Sequence, residues 1–176
     1  GREMSLRMPL VDFFSIKSNL SNNIIDASPM LWELRIIKSN AEIDKINQIC
    51  KITSDAYENL PLLIKEGDSE RDISRKLRID LISRGADSIP FLPIVSGEGG
   101  VSQIICEPTN RRLKNGDILF IDTGSTYDGY FCDFDRNYSI GKVSDIVNDV
   151  YEILWIATQS AIDIAKPGIT LSDLWQ

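Results

Sequence analysis

Residues 118–137 read ILFIDTGSTYDGYFCDFDRN, and this stretch limits the possible folds more than any other. Two runs rich in β-branched and aromatic residues flank a tight turn containing Asp128-Gly129, the pattern of a β-hairpin. The chain before it is patterned as helix. Leu31, Leu34 and Ile37 share one side of a segment with Pro29 in its first turn. Ser39 and Glu42 stand at capping-box spacing before a longer helix carrying Ile43, Ile46, Ile49 or Cys50, Thr53, Ala56 and Tyr57, with Pro61 as a kink and Gly67 as its end. A third helix is capped by Ser69 and closed by Gly85, with Ile73, Leu77 and Leu81 inward. After Gly85 the period changes. SIPFLPIVSG holds two prolines and suits an edge strand or irregular extended segment, SQIIC reads as a short strand, and residues 108–117 form a loop. A long amphipathic helix capped by Ser144 follows, then a new helix from about Thr170 or Ser172 that breaks off at Gln176. This order predicts an α+β fold with helices packed on one face of a mainly antiparallel sheet. Residues 17–28, polar and turn-rich, read as a loop, so that residues 1–27 stand apart from the rest.

Composition removes several classes of function. The net charge of −7 over 176 residues offers no basic stripe for a phosphate backbone, so no nucleic-acid partner is expected. No apolar run reaches the ~20 residues that span a bilayer, and the opening GREMSLRMPLVDFF lacks a signal-peptide pattern. Cys50, Cys106 and Cys132 are odd in number and widely spaced, which suits reduced thiols and a cytoplasmic setting. The chain has no histidine, so it cannot by itself build a Ser-His-Asp triad or a His-ligated metal site. Chemistry here must rest on carboxylates or on residues that the chain does not contain.

The hairpin carries those carboxylates. With the turn centred on Tyr127-Asp128, Asp122 and Asp133 are directly opposed, with Cβ atoms about 4.5–5.5 Å apart. Two carboxylates at that separation repel, and a divalent cation between them removes the conflict. Period-two alternation places Asp135 on the same face as Asp133, and Ile121, Thr123, Cys132 and Phe134 on the other. The competing reading is a solvated acidic hairpin, its aspartates paired with Arg136, Arg111 or Arg112. Asp-Thr-Gly-Ser also invites an aspartic protease, but that chemistry needs two such loops on an almost wholly β protein. One occurs here, and half of the chain patterns as helix, so a dimeric aspartic protease is the least favoured reading.

From LRIIKSNAEIDKI through EGDSERDISRKL to NGDILFIDTGSTYDGYFCDFDRNYSIGKVSD and KPGIT, the chain resembles the pita-bread metallopeptidases, among them Xaa-Pro aminopeptidases, prolidases, methionine aminopeptidases and creatinase. Asp122, Gly124, Gly129-Tyr130, Asp133, Arg136 and Gly141 fit the family pattern in order. The resemblance implies that residues 28–176 are the first half of a catalytic domain, truncated before its end, and that residues 1–27 are a linker or the tail of a preceding domain. It implies Asp122 and Asp133 as the first two of five ligands to a pair of divalent ions (manganese, cobalt, zinc or iron). Those ions activate a water against an amide bond. One histidine and two glutamates of that set lie in the half not seen here, so this chain alone is expected to hold metal weakly or not at all and to carry no catalytic residue of its own. A small peptide or small-molecule amide is the implied substrate, and a homodimer the implied assembly.

Two features depart from the family pattern. A histidine that helps stabilise the transition state is expected where Gln103, Ile104 and Ile105 stand, in a segment (residues 98–106) expected to line the pocket. Asp135 and Asn137 replace the threonines that flank this arginine. Asp135 either tunes the metal from outside its ligand shell or pairs with Arg136, and the pair is the favoured reading. The altered pocket keeps a non-peptide substrate, or a metal-free binding module, as alternatives.

Overall fold

The computed structural model describes residues 8–97 and 105–175. The chain divides into two compact units, Gly1–Ile43 and Asp44–Gln176. The first contains α1 (Leu10–Asn19) and α2 (Ser28–Ile36). The helix α1 runs into a stretch whose composition reads as loop. Ser18 and Asn19, turn formers by type, instead donate their side chains to the Ser15 carbonyl at 2.9 and 2.8 Å and close the last turn. In α2, Pro29 sits in the first turn as its fixed φ favours.

Helix α3 (Asn40–Leu63) starts with the expected reciprocal cap. The Glu42 carboxylate accepts from the Ser39 N–H and hydroxyl at 2.7 and 2.8 Å. Its buried stripe is Ile49, Ile52, Thr53, Ala56, Tyr57 and Leu60, whereas Ile43 is exposed. The helix ends at Leu63, short of Gly67, and Pro61 in its last turn cannot donate to the carbonyl four residues back. That carbonyl belongs to Tyr57, and it accepts the Tyr138 hydroxyl at 2.9 Å instead. Helix α4 (Glu70–Ser83) is capped by Ser69 with Asp72 and buries Ile73, Leu77 and Leu81 completely.

Among the described residues, four strands form an open antiparallel sheet: β1 (Ser88–Phe91), β2 (Ile94–Gly97), β3 (Ile118–Tyr127) and β4 (Tyr130–Ser139). The central strand is β3. Along one edge it pairs with β4; along the other it pairs with β1 near its end and β2 near its start. The segment around Pro90 and Pro93 is therefore one edge strand broken in two, as its prolines require. The break stays attached to the sheet through the Asp122 N–H, which donates to the Pro93 carbonyl at 3.1 Å. The anticipated strand at SQIIC falls largely on residues 98–104, outside the described residues.

Alternation on β3 buries Leu119, Ile121, Thr123 and Ser125 beneath α3 and α4, which form the core with them. Helix α5 (Asp145–Ile164) and the short α6 (Leu171–Trp175) bury no residue, although α5 carries Ile146, Val150, Ile153, Leu154, Trp155 and Ile156.

Candidate metal centre

The hairpin turn is centred on Asp128-Gly129, one residue later than a Tyr127-Asp128 centre. Both turn residues have positive φ, 46° and 81°. A two-residue hairpin turn of this kind needs left-handed backbone at both central positions, which Asp and Gly accept and Tyr does not. The one-residue move of the centre shifts the pairing by two. Tyr127 faces Tyr130, Gly124 faces Asp133, and Asp122 faces Asp135. The expected direct opposition of Asp122 and Asp133 is thus corrected to a diagonal relation. Because side chains repeat every two residues, a shift of two keeps every residue on its own face. Asp122, Asp133 and Asp135 all lie on the face turned away from α3 and α4, and Ile121, Thr123, Cys132 and Phe134 lie on the other, as the alternation predicts.

Gly124 makes the diagonal contact possible, since the position opposite Asp133 carries no side chain. The Phe131 ring lies over it, and a Cβ there would meet ring atoms at 2.5 and 2.7 Å. The Asp122 and Asp133 carboxyls come within hydrogen-bonding reach of one another. Two ionised carboxylates have no proton to share, and the Asp122 Oδ1 is buried without a hydrogen-bond partner. Burial, then the charges of Asp135 and Asp133, push the Asp122 carboxyl up to about 6. Asp135 is also raised, by burial and then by Asp133. Hard carboxylate oxygens, one of them orphaned, in a field of like charge suit a divalent cation. Among the described residues, no three His, Cys, Asp or Glu side chains converge on one point as a complete cage, so the acids fit part of a coordination shell.

Among the described residues, none of Arg111, Arg112 and Arg136 forms an ion pair with these acids, although the Arg136 charge still lowers the Asp135 carboxyl. Arg111 forms a two-pronged pair with Asp117 at 2.6 and 2.7 Å, and Arg112 donates to the Gly67 carbonyl. Arg136 faces Ile121 on the helix side, 4.9 Å from the Phe134 ring centre and 5.8 Å from that of Tyr57. It donates at 2.6 Å to the Asp135 backbone carbonyl, not to its carboxylate. The favoured pairing of Asp135 with Arg136 is therefore corrected. Adjacent strand residues point to opposite faces, so the two side chains part.

Beneath the acids, α3 fixes both strands. The Tyr57 hydroxyl bonds the Thr123 hydroxyl at 2.7 Å and donates to the Ile121 and Phe134 carbonyls at 3.3 Å. The Thr53 hydroxyl meets Ser125 at 2.8 Å and the Cys132 thiol at 3.2 Å. Each bonded strand residue is next in sequence to Asp122, Gly124, Asp133 or Asp135. Sequence periodicity places Thr53 and Tyr57 inward but does not reveal this role, which needs the register. Glu70 was also missed. It is buried, and it accepts from the N–H and hydroxyl of both Ser96 and Thr109 at 2.6–2.9 Å. Its place at the first helical position after a Ser cap was the only available signal. The expected histidine-equivalent positions Gln103 and Ile104, and most of the pocket segment 98–106, lie outside the described residues.

Residues 44–176 match the model of the metallopeptidase family M24. Among curated relatives, the Xaa-Pro dipeptidase of Pyrococcus furiosus is 29% identical over 174 residues, covering 99% of this chain and 50% of that protein. A probable dipeptidase, PepE, of Mycobacterium tuberculosis is 27% identical over 168 residues, covering 93% and 44%. Among solved structures, the X-Pro aminopeptidase of Thermotoga maritima superposes with a TM-score of 0.84 at 30% identity over 96% of this chain and 48% of its own. The prolidase of Pyrococcus furiosus superposes with 0.85 at 27% identity, over 96% and 50%. The chain spans about half the length of the curated relatives it matches. With the hairpin, its glycines and its acids in the family's order, and this fold beneath them, the chain has a partial pita-bread fold and belongs to the metallopeptidase family M24.

Proposed function

We propose that this chain contributes the first two metal ligands, Asp122 and Asp133, to a dinuclear hydrolase that cleaves Xaa-Pro or similar small amide substrates. Residues 28–176 would form the first half of its catalytic domain, and residues 1–27 the end of what precedes it. The observation that carries the reading is the buried, unpartnered Oδ1 of Asp122 beside the Asp133 carboxyl, on the open face of the sheet. A carboxylate left without a donor in such a place is costly unless a cation completes it. Family membership implies divalent metal in general, and manganese, cobalt, zinc and iron are all compatible with oxygen-rich ligands. When bound, such ions supply Lewis acidity that activates water and polarises the scissile carbonyl.

The chain's own part is to hold those two carboxylates in place. The Tyr57 and Thr53 hydroxyls fix the strands from behind, and Gly124, opposite Asp133, leaves room for the Phe131 ring that lies over it. No histidine of this chain can complete the shell or protonate a leaving amine, so those groups come from outside these residues. A cytoplasmic homodimer is the proposed setting: the few, scattered cysteines suit a reducing compartment, and the dipeptidase names of the relatives suit small peptides as substrates. One observation favours a second reading: Gln103, Ile104 and Ile105 occupy the place where the resemblance puts a histidine, which suits a non-peptide amide.

The test is manganese-loaded full-length protein assayed against Xaa-Pro dipeptides and a panel of non-peptide amides. Expected is turnover of one class, falling at least about a thousandfold in Asp122→Asn and in Asp133→Asn. Turnover that survives both substitutions would overturn the assignment of the ligands. Turnover of the non-peptide panel alone would select the second reading.

A further inference from the structure

The register leaves the exposed Asp135 without the ion pair to Arg136 that its neighbour in sequence suggests. It stands directly across from Asp122, on the same face, one pair along from the Gly124–Asp133 rung. Opposed residues of an antiparallel pair have Cβ atoms about 4.5–5.5 Å apart, closer than the diagonal relation of Asp122 to Asp133. Arg136, its only neighbouring cation in sequence, is turned to the opposite face and occupied with a backbone carbonyl and two aromatic rings.

We propose that Asp135 is a positioning residue for the metal centre: its carboxylate, opposed to Asp122, adds a third negative charge to the cation-binding face and strengthens divalent-cation binding there. The inference rests on Asp122 and Asp133 being the ligands. Asp135 need not enter the inner shell to act. A carboxylate beside a ligand raises cation affinity by its charge, and it orients the ligand through waters of the hydrated ion. Neighbours of a metal ligand commonly change affinity by about ten- to a hundredfold when removed.

The experiment titrates full-length protein with manganese alone, following free ion by electron paramagnetic resonance. Wild type is compared with Asp135→Asn, Asp135→Thr, Asp135→Glu and Asp122→Asn. The expected result is an affinity about tenfold weaker in Asp135→Asn and Asp135→Thr, largely recovered in Asp135→Glu, and lost in Asp122→Asn. The spectrum of the bound ion should also differ between wild type and Asp135→Asn, which a merely structural role would not produce. Thermal melts without metal serve as the control for folding, and removing one of three like charges should leave the melting temperature unchanged or raised. Wild-type affinity in Asp135→Asn, with Asp122→Asn inactive in binding, would overturn this inference and leave the ligand assignment standing. Failure of the wild type to take up manganese would overturn both.

Discussion

A single buried carboxylate shows how this chain holds its loops. Glu70 takes hydrogen bonds from Ser96 at the end of β2 and from Thr109 beyond the segment 98–104, so it ties both stems of that segment to the start of α4. Burial alone would raise its carboxyl, but the Thr109 and Ser96 donors outweigh it and hold it below the ordinary 4.5. A depressed folded value gives stability that is fully present above the unfolded value and is lost as pH falls through the folded one. Glu70 should therefore contribute to an acid-side loss of stability that begins below about pH 4.5. In Glu70→Gln, an amide NH₂ replaces one carboxylate oxygen and faces the two donors which that oxygen accepted from, and the expected cost at neutral pH is about 2–3 kcal/mol. Urea unfolding between pH 3 and pH 7 checks both points: the variant should be less stable at pH 7 and show a shallower decline in acid. An unchanged acid limb would show that the network, as drawn, is not what titrates.

Among the elements, α3 and β4 are linked by what Pro61 removes. Proline has no N–H, the Tyr57 carbonyl loses its helical donor, and the Tyr138 hydroxyl fills the place. Tyr138→Phe should leave that carbonyl without a partner and cost about 1–2 kcal/mol. In a Pro61→Ala background the helix supplies its own N–H, so the same change should cost less. A double-mutant cycle by chemical denaturation measures the coupling, and purely additive costs would rule out this link. The hairpin teaches a related point. Its two strands and their faces were legible from alternation, yet the pairing was set by where positive φ is tolerated. Asp128 and Gly129 accept it, Tyr127 does not, and Asp135 rather than Asp133 comes to face Asp122.

At the scale of the molecule, the second unit has a well-formed core on one side and an uncovered apolar surface on the other. Ile146, Val150, Ile153, Leu154 and Trp155 of α5 are each at least half exposed. A groove of about 880 Å³ between α5, Ile118, Phe120 and Tyr138 is equally apolar in lining. Apolar surface of this extent is sticky in water. The 176-residue chain expressed alone should bind a hydrophobic dye strongly and associate with rising concentration in size-exclusion chromatography with light scattering. Val150→Lys with Leu154→Lys should reduce both, and a monomer that ignores the dye would contradict the exposure seen here.

The sequence by itself determined helices α2 to α5, the capping of α3 and α4, the two strands of the hairpin and their division into an acidic and an apolar face, but not α1. These follow from local rules: periodicity and cap chemistry. It also carried the acids Asp122 and Asp133, whose order with Gly124, Tyr130 and Arg136 marks the family. Only the tertiary structure decided which acid opposes which, because register depends on one residue in the turn. It also decided that Arg136 turns from Asp135 to the aromatic side, and that Thr53 and Tyr57 of α3 brace the strands from behind. The bracing bonds join residues 64 to 79 positions apart, as from Tyr57 to Ile121 and Thr53 to Cys132, and packing between elements, not any local pattern, brings them together.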